Sequence, residues 1–128
     1  MLPPITPYEP TERTVEKDLP LRMRKLMHQL RSCGVECRAE QIPYKHLRID
    51  RGRYELLVDG GYRRDAFYVS IYRIIDPINP EDPLDLLRTP KKTWVREVED
   101  ISSENIPSAA QTIRRLVEQY TEDSAYEN

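Results

Sequence analysis

The sequence is poor in glycine and has no long apolar run. Only 4 of its 128 residues are glycine, which leaves few positions for a phosphate-binding loop. No apolar stretch approaches the roughly 20 residues needed to cross a bilayer. No charged and then apolar leader opens the chain, so we expect neither a membrane segment nor a secretory signal. The patterns G-x-S-x-G and H-E-x-x-H are missing, as are a Walker loop and a dinucleotide glycine pattern, so we expect no enzymatic activity, catalytic residue or cofactor.

Cysteine is also scarce. Cys33 and Cys37 are the only two, and a disulfide between them would close too small a loop to add much stability. Together with His28 and His46 they do not form a recognised zinc-binding pattern. We therefore expect no metal site, and two free thiols favour a reducing, cytoplasmic location.

Charge is unevenly distributed, although the net charge is only −2. Residues 21–64 carry eleven Lys or Arg and five Asp or Glu, whereas residues 76–128 carry six basic and twelve acidic residues. A basic middle segment favours a polyanion-binding surface unless the acidic second half folds over it and neutralises it.

Prolines divide the chain. Pro3, Pro4, Pro7 and Pro10 predict an extended arm over residues 1–14. Residues 15–123 then form one domain, interrupted by a proline-rich loop at residues 76–90 with a helical turn at Pro83 to Arg88, and residues 124–128 form a frayed tail.

Two helices flank the domain. Leu19, Met23, Leu26, Leu30 and Cys33 lie at helical spacing, so we expect a helix from about Asp18 that ends at Gly34. A second apolar stripe predicts a helix from about Pro107 to Thr121.

Between the helices, apolar and polar residues alternate over residues 35–42, 45–51, 54–59 and 66–75, which predicts four strands, and residues 93–99 suggest a fifth. Short turns join the first four, so we expect an α+β fold: an N-terminal helix, an antiparallel four- to five-stranded meander and a C-terminal helix, with both helices on one sheet face.

The sheet face opposite the helices is the predicted binding surface. Tyrosine and arginine supply contact area and directed hydrogen-bond donors, and three leucines in the proline-rich loop form an apolar knob. We expect a small non-enzymatic protein–protein interaction module, such as an assembly adaptor, an inhibitor or a viral accessory factor, whose partner is another protein or a second copy of this chain. The predicted partner-binding residues are Arg38, His46, Arg48, Tyr68, Tyr72, Leu84 and Leu87.

Nucleic-acid binding is the alternative, with Tyr68 and Tyr72 stacking on bases. Its predicted phosphate contacts are Arg22, Arg24, Lys25, Arg31, Arg51, Arg53, Arg63 and Arg64. A third interpretation is a metal-dependent or acid/base hydrolase, in which His46 works with Asp50 or Glu55.

Overall fold

The computed structural model describes residues 12–41, 44–60 and 65–125. The predicted arm lies outside the described residues up to residue 11. Its last three residues belong to helix α1, Glu12–Asp18. Residues 126–128 of the predicted tail also lie outside the described residues, whereas residues 124 and 125 end helix α3, Ile106–Ala125.

Helix α2, Leu21–Ser32, carries the apolar stripe that the sequence predicts. The stripe begins earlier at Leu19, but Pro20 is extended (φ −54°, ψ 148°) and separates α2 from α1. Met23, Leu26, Met27 and Leu30 are buried. Gly34 ends the helix with φ +84°, and the next amide, that of Val35, bonds the carbonyl of Leu30 at 2.9 Å. This left-handed termination turns the chain directly into the sheet.

The five strands form one antiparallel meander in the order β1-β2-β3-β4-β5. They are β1 Arg38–Glu40, β2 His46–Arg51, β3 Tyr54–Asp59, β4 Ala66–Ile74 and β5 Lys92–Ser102. The α+β prediction is therefore confirmed, including the N-terminal and C-terminal helices. A 3-10 turn, Asp85–Leu87, lies in the connection between β4 and β5, within the helical turn predicted from the sequence.

The core lies between the helices and one face of the sheet. Phe67, Leu56 and Ile71 from the central strands are fully buried, together with Leu26 of α2 and Ile113 of α3. Both helices therefore cover the same sheet face, and on the opposite face His46, Glu55 and Leu57 are buried as well. No helix within the described ranges combines the length and the apolar composition that a membrane crossing requires.

Strand β5 forms one edge of the sheet and is the longest strand, with eleven residues. Its pairing with β4 shifts register twice, between Ile71 and Tyr72 and between Phe67 and Val69. Asp100 beside the second shift has φ +63°. Such bulges bend a strand and increase its twist, so β5 curves along the border of the sheet.

Candidate functional site

The sheet face opposite the helices carries a network of charged side chains rather than an open cleft. Strand register places Arg38 opposite Arg48, Glu40 opposite His46, and Asp50 opposite Glu55. Arg48 Nε donates to Asp50 at 3.0 Å, and Arg48 Nη2 lies 3.1 Å from Glu55. The mixed charges of this face thus compensate one another within the molecule.

Glu55 is the buried centre of this network, with only 3% of its surface exposed. Its carboxylate contacts Arg48 and, from the far strand β5, the ammonium of Lys92 at 2.8 Å. A buried carboxylate is expensive unless it is paired and hydrogen-bonded. Three strands are therefore joined at this position by one acidic side chain.

His46 also lies on this face, but it is only 1% exposed. Its Nε2 is 3.0 Å from Glu40 and its Nδ1 is 2.6 Å from the carbonyl of Tyr44. The carboxylate partner is thus Glu40, and not Asp50 or Glu55 as the sequence suggested. Because His46 is enclosed, neither a substrate nor a protein partner reaches it in this conformation.

Tyrosines cover part of the same face. The ring of Tyr44 packs edge-on against His46 with centroids 5.4 Å apart. Partial burial, followed by the nearby negative charge of Asp59, raises the pKa of Tyr44. Tyr68 and Tyr72 are half-buried, and Lys92 Nζ lies 5.0 Å from the ring centre of Tyr72. The aromatic anchors predicted here are therefore only partly available to a partner.

The proline-rich connection between β4 and β5 holds its polar groups internally. Arg88 is the hub: it pairs with Asp85 and Asp76 and donates to the carbonyl of Pro77 at 3.0 Å. The amide of Leu84 donates to Asp82 at 3.0 Å. The hydrogen bond from Arg88 holds the pKa of Asp85 below its ordinary value. The loop is thus held in one conformation by its own ion pairs and hydrogen bonds.

The three leucines of this loop point away from the domain. Leu84 is 79% exposed, Leu86 58% and Leu87 84%. In a 3-10 turn, side chains three residues apart are eclipsed, so Leu84 and Leu87 lie on the same side of the turn. We call Leu84, Leu86 and Leu87 the leucine knob. Leu84 and Leu87 are the two most exposed of the large apolar side chains in the described ranges.

Trp94 is an exposed apolar side chain on β5. It is paired with Tyr72 in the sheet and is 59% exposed. Its pairing with Tyr72 places it on the sheet face opposite the helices. Six of the eight exposed large hydrophobics of the described chain lie between positions 75 and 95: Ile75, Leu84, Leu86, Leu87, Trp94 and Val95.

The structure separates the predicted phosphate-binding residues. Arg22 donates to the carbonyls of Gly60 and Ala66 at 2.8 and 3.2 Å. Arg31 bonds Glu16 and the carbonyl of Cys37. Both guanidinium groups are therefore used within the fold.

The remaining basic residues do not lie together. Arg51 and Arg53 flank the start of β3, whereas Arg22 contacts the residue after its end, so roughly 20 Å of strand separates them. Arg24 is half-buried and Lys25 exposed on α2. The predicted contacts Arg63 and Arg64 lie outside the described residues.

A shallow pocket of about 230 Å³ lies beside β1 and β2. It is lined by Glu36, Cys37, Arg38, Arg48 and Asp50. Burial raises the pKa of Cys37 to about 11, so its thiol stays protonated and is a poor nucleophile at neutral pH. Within the described ranges, no three His, Cys, Asp or Glu side chains are placed to hold one metal ion.

Comparisons with protein-family models, with curated proteins and with solved structures find no match to this chain.

Proposed function

We propose that the protein is a non-enzymatic protein–protein interaction module that docks through the leucine knob. The observation that carries this proposal is the exposure of Leu84 and Leu87, at 79% and 84%, on a loop whose polar groups bond one another. The opposite sheet face, which the sequence favoured equally, contributes less because its charges are paired and His46 is buried.

The loop is suited to binding because it is ordered before a partner arrives. Arg88 links residues 76, 77 and 85, and Asp82 fixes the amide of Leu84. Preorganisation reduces the conformational entropy that binding would otherwise cost. Leucines held outward in water gain free energy when an apolar groove covers them, at roughly 25 cal/mol per Å² of buried apolar surface.

Site-directed photo-crosslinking tests the proposal in the full chain. A photoreactive residue is placed at position 84 or 87, and at position 118 on the outer face of α3 as the control. We expect one protein to be crosslinked from both loop positions and not from position 118. That protein, purified, should bind the unmodified chain and bind the double variant L84D/L87D at least tenfold more weakly, since two apolar anchors are lost.

The variant must remain folded for this comparison, and the exposure of both leucines makes this the expected result. Equal crosslinking from positions 87 and 118, or equal binding of the purified protein by both chains, would contradict the proposal.

The nucleic-acid alternative has weaker support, because Arg22 and Arg31 are bonded within the fold. A mobility shift with single-stranded and duplex oligonucleotides at low salt distinguishes the two functions. Binding that decreases steeply with salt and is lost in R51E/R53E would favour nucleic acid, whereas binding lost in L84D/L87D favours the protein partner.

A further inference from the structure

Strand β5 forms one border of the sheet. It is the last strand in the order, and in the described part of the chain it pairs only with β4. Edge strands present unpaired backbone N–H and C=O groups, which form a template for another strand. The other border is less suited to this, because β1 has only three residues. The candidate interface is therefore the outer edge of Lys92–Ser102.

The charges of this edge are divided between its two halves. Lys91, Lys92 and Arg96 lie in or just before the first half, and Glu97, Glu99 and Asp100 lie in the second. Lys92 already contacts Glu55, and Arg96 lies over the ring of Tyr120, so Lys91 is the basic side chain of this edge that is most available to a second copy. Two copies of the strand that run in opposite directions place the basic half of each beside the acidic half of the other. A parallel arrangement would instead place like charges together. The charge pattern is thus self-complementary in one orientation only.

We propose that the protein forms a twofold-symmetric dimer in which the β5 strands of two copies pair antiparallel and join the two sheets. Trp94 and Val95, both exposed in the single chain, lie along this junction and lose water contact on pairing. The dimer is closed, since each β5 edge is used once and only the short β1 edges remain.

The two bulges shape the interface. They interrupt the regular backbone hydrogen bonding between β4 and β5. Bulges on edge strands limit uncontrolled edge-to-edge association of sheets. Backbone hydrogen bonds between the two β5 strands are therefore fewer than in a regular sheet. The charge pairs contribute more to fixing the orientation of the two copies. We expect dimerisation to weaken as salt rises, because exposed charge pairs are screened.

A charge exchange tests the orientation directly. Lys91 and Glu99 are exposed, and the structure gives their side chains no role in the fold. Cross-strand and diagonal neighbours lie within reach of long side chains. In K91E an acidic side chain faces Glu99 of the second copy, and in E99K a basic side chain faces Lys91 of the second copy. Each variant alone is expected to dimerise about tenfold more weakly, because two symmetry-related charge pairs become repulsive.

The mixture gives the decisive measurement. K91E combined with E99K restores both opposite-charge contacts, so the two variants should form a heterodimer about as tightly as the unmodified chain forms a homodimer. Sedimentation equilibrium on the full chains measures all three association constants. E104K, on the turn before α3, is the matched charge-reversal control and should leave dimerisation unchanged.

A second measurement locates the axis. Pairing Lys91 with Glu99 places the twofold axis midway between them, at Val95 of β5, so V95C should form a disulfide with its own copy, whereas E104C should not, since a disulfide requires Cα atoms within about 7 Å. A chain that stays monomeric up to about 0.5 mM, where even weak association is detected, overturns the proposal. A dimer that is insensitive to both charge variants and uncrosslinked at position 95 also overturns it. Neither result bears on the leucine knob, which L84D/L87D tests separately.

Discussion

The guanidinium of Arg22 and the carbonyl oxygen of Gly60 are joined by a 2.8 Å hydrogen bond, which ties helix α2 to the end of strand β3. A Cβ at position 60 would lie 2.5 Å from Arg22 Nη2. The same guanidinium stacks over Phe67, 5.6 Å from its ring centre. Glycine is thus needed at this position for the close approach of an arginine side chain.

We predict that Arg22→Ala lowers the free energy of unfolding by about 1–3 kcal/mol, because two carbonyl contacts from a charged donor are lost. Gly60→Ala should cost up to about 1 kcal/mol by displacing the flexible guanidinium from its carbonyl partner. In the R22A background, Gly60→Ala should be neutral or slightly stabilising, since the side chain that it displaces is absent. Urea unfolding of the four chains measures this coupling, and additive effects would show that Gly60 and Arg22 act independently.

A second prediction separates two arginines that lie opposite each other in the sheet. Arg48 contacts buried Glu55, whereas Arg38 contacts only the outer carboxylates of Glu40 and Asp50 at 3.6 and 3.7 Å. Arg48→Met should cost about 1–3 kcal/mol because it leaves a buried carboxylate with one cation fewer. Arg38→Met should change stability by less than about 0.5 kcal/mol. Chemical denaturation gives both values, and equal losses would mean that the burial of Glu55 does not govern the network.

Alternation in the sequence predicts which side chains share a face, but it does not predict what covers that face. Residues 46, 48 and 55 lie on the predicted side of the sheet. Two of them, His46 and Glu55, are nevertheless buried, because neighbouring strands supply compensating charges and Tyr44 packs against His46. These partners are distant in sequence or carried by a turn, so no period-two pattern contains them.

The N-terminal region shows a similar limit. The apolar stripe over residues 19–33 predicted a helix from about Asp18, and α2 begins at Leu21, directly after the extended Pro20. The separate helix α1, Glu12–Asp18, was not predicted. The prolines at positions 3 to 10 predicted an extended arm to residue 14, but helix α1 begins at Glu12, two residues after the last of them. Proline restricts the backbone conformation of its own residue and of the residue before it. Residues 12–14 follow the last proline of the segment and are therefore free to be helical.

The two thiols give a third prediction. Burial raises the pKa of Cys37 to about 11 from its ordinary 9.0, so the unfolded chain loses this proton first as pH rises. The native state then binds more protons than the unfolded state, and stability should decrease between about pH 9 and 11, by up to about 2 kcal/mol from this group.

The variant C37A should lose this part of the pH dependence, whereas C33A, at the less buried thiol, should retain it. Urea unfolding between pH 8 and about 11 compares the slopes of the three chains. Identical slopes for the unmodified chain and C37A would show that the Cys37 thiol titrates normally.

Trp94 provides the last prediction, because it is the only tryptophan of the chain and is 59% exposed. Its fluorescence should be red-shifted and readily quenched by acrylamide in dilute, high-salt solution, where the charge pairs of the proposed dimer are screened. Raising the protein concentration at low salt should shift the emission to shorter wavelength and slow quenching, since a second β5 strand then covers the indole. At the same concentration, K91E should keep the red-shifted emission of an exposed indole, because it dimerises weakly. L84D/L87D should show the same shift to shorter wavelength as the unmodified chain, because the leucine knob lies outside the paired strands. A blue shift of equal size in K91E would show that Trp94 is buried by a contact other than pairing of the β5 edges.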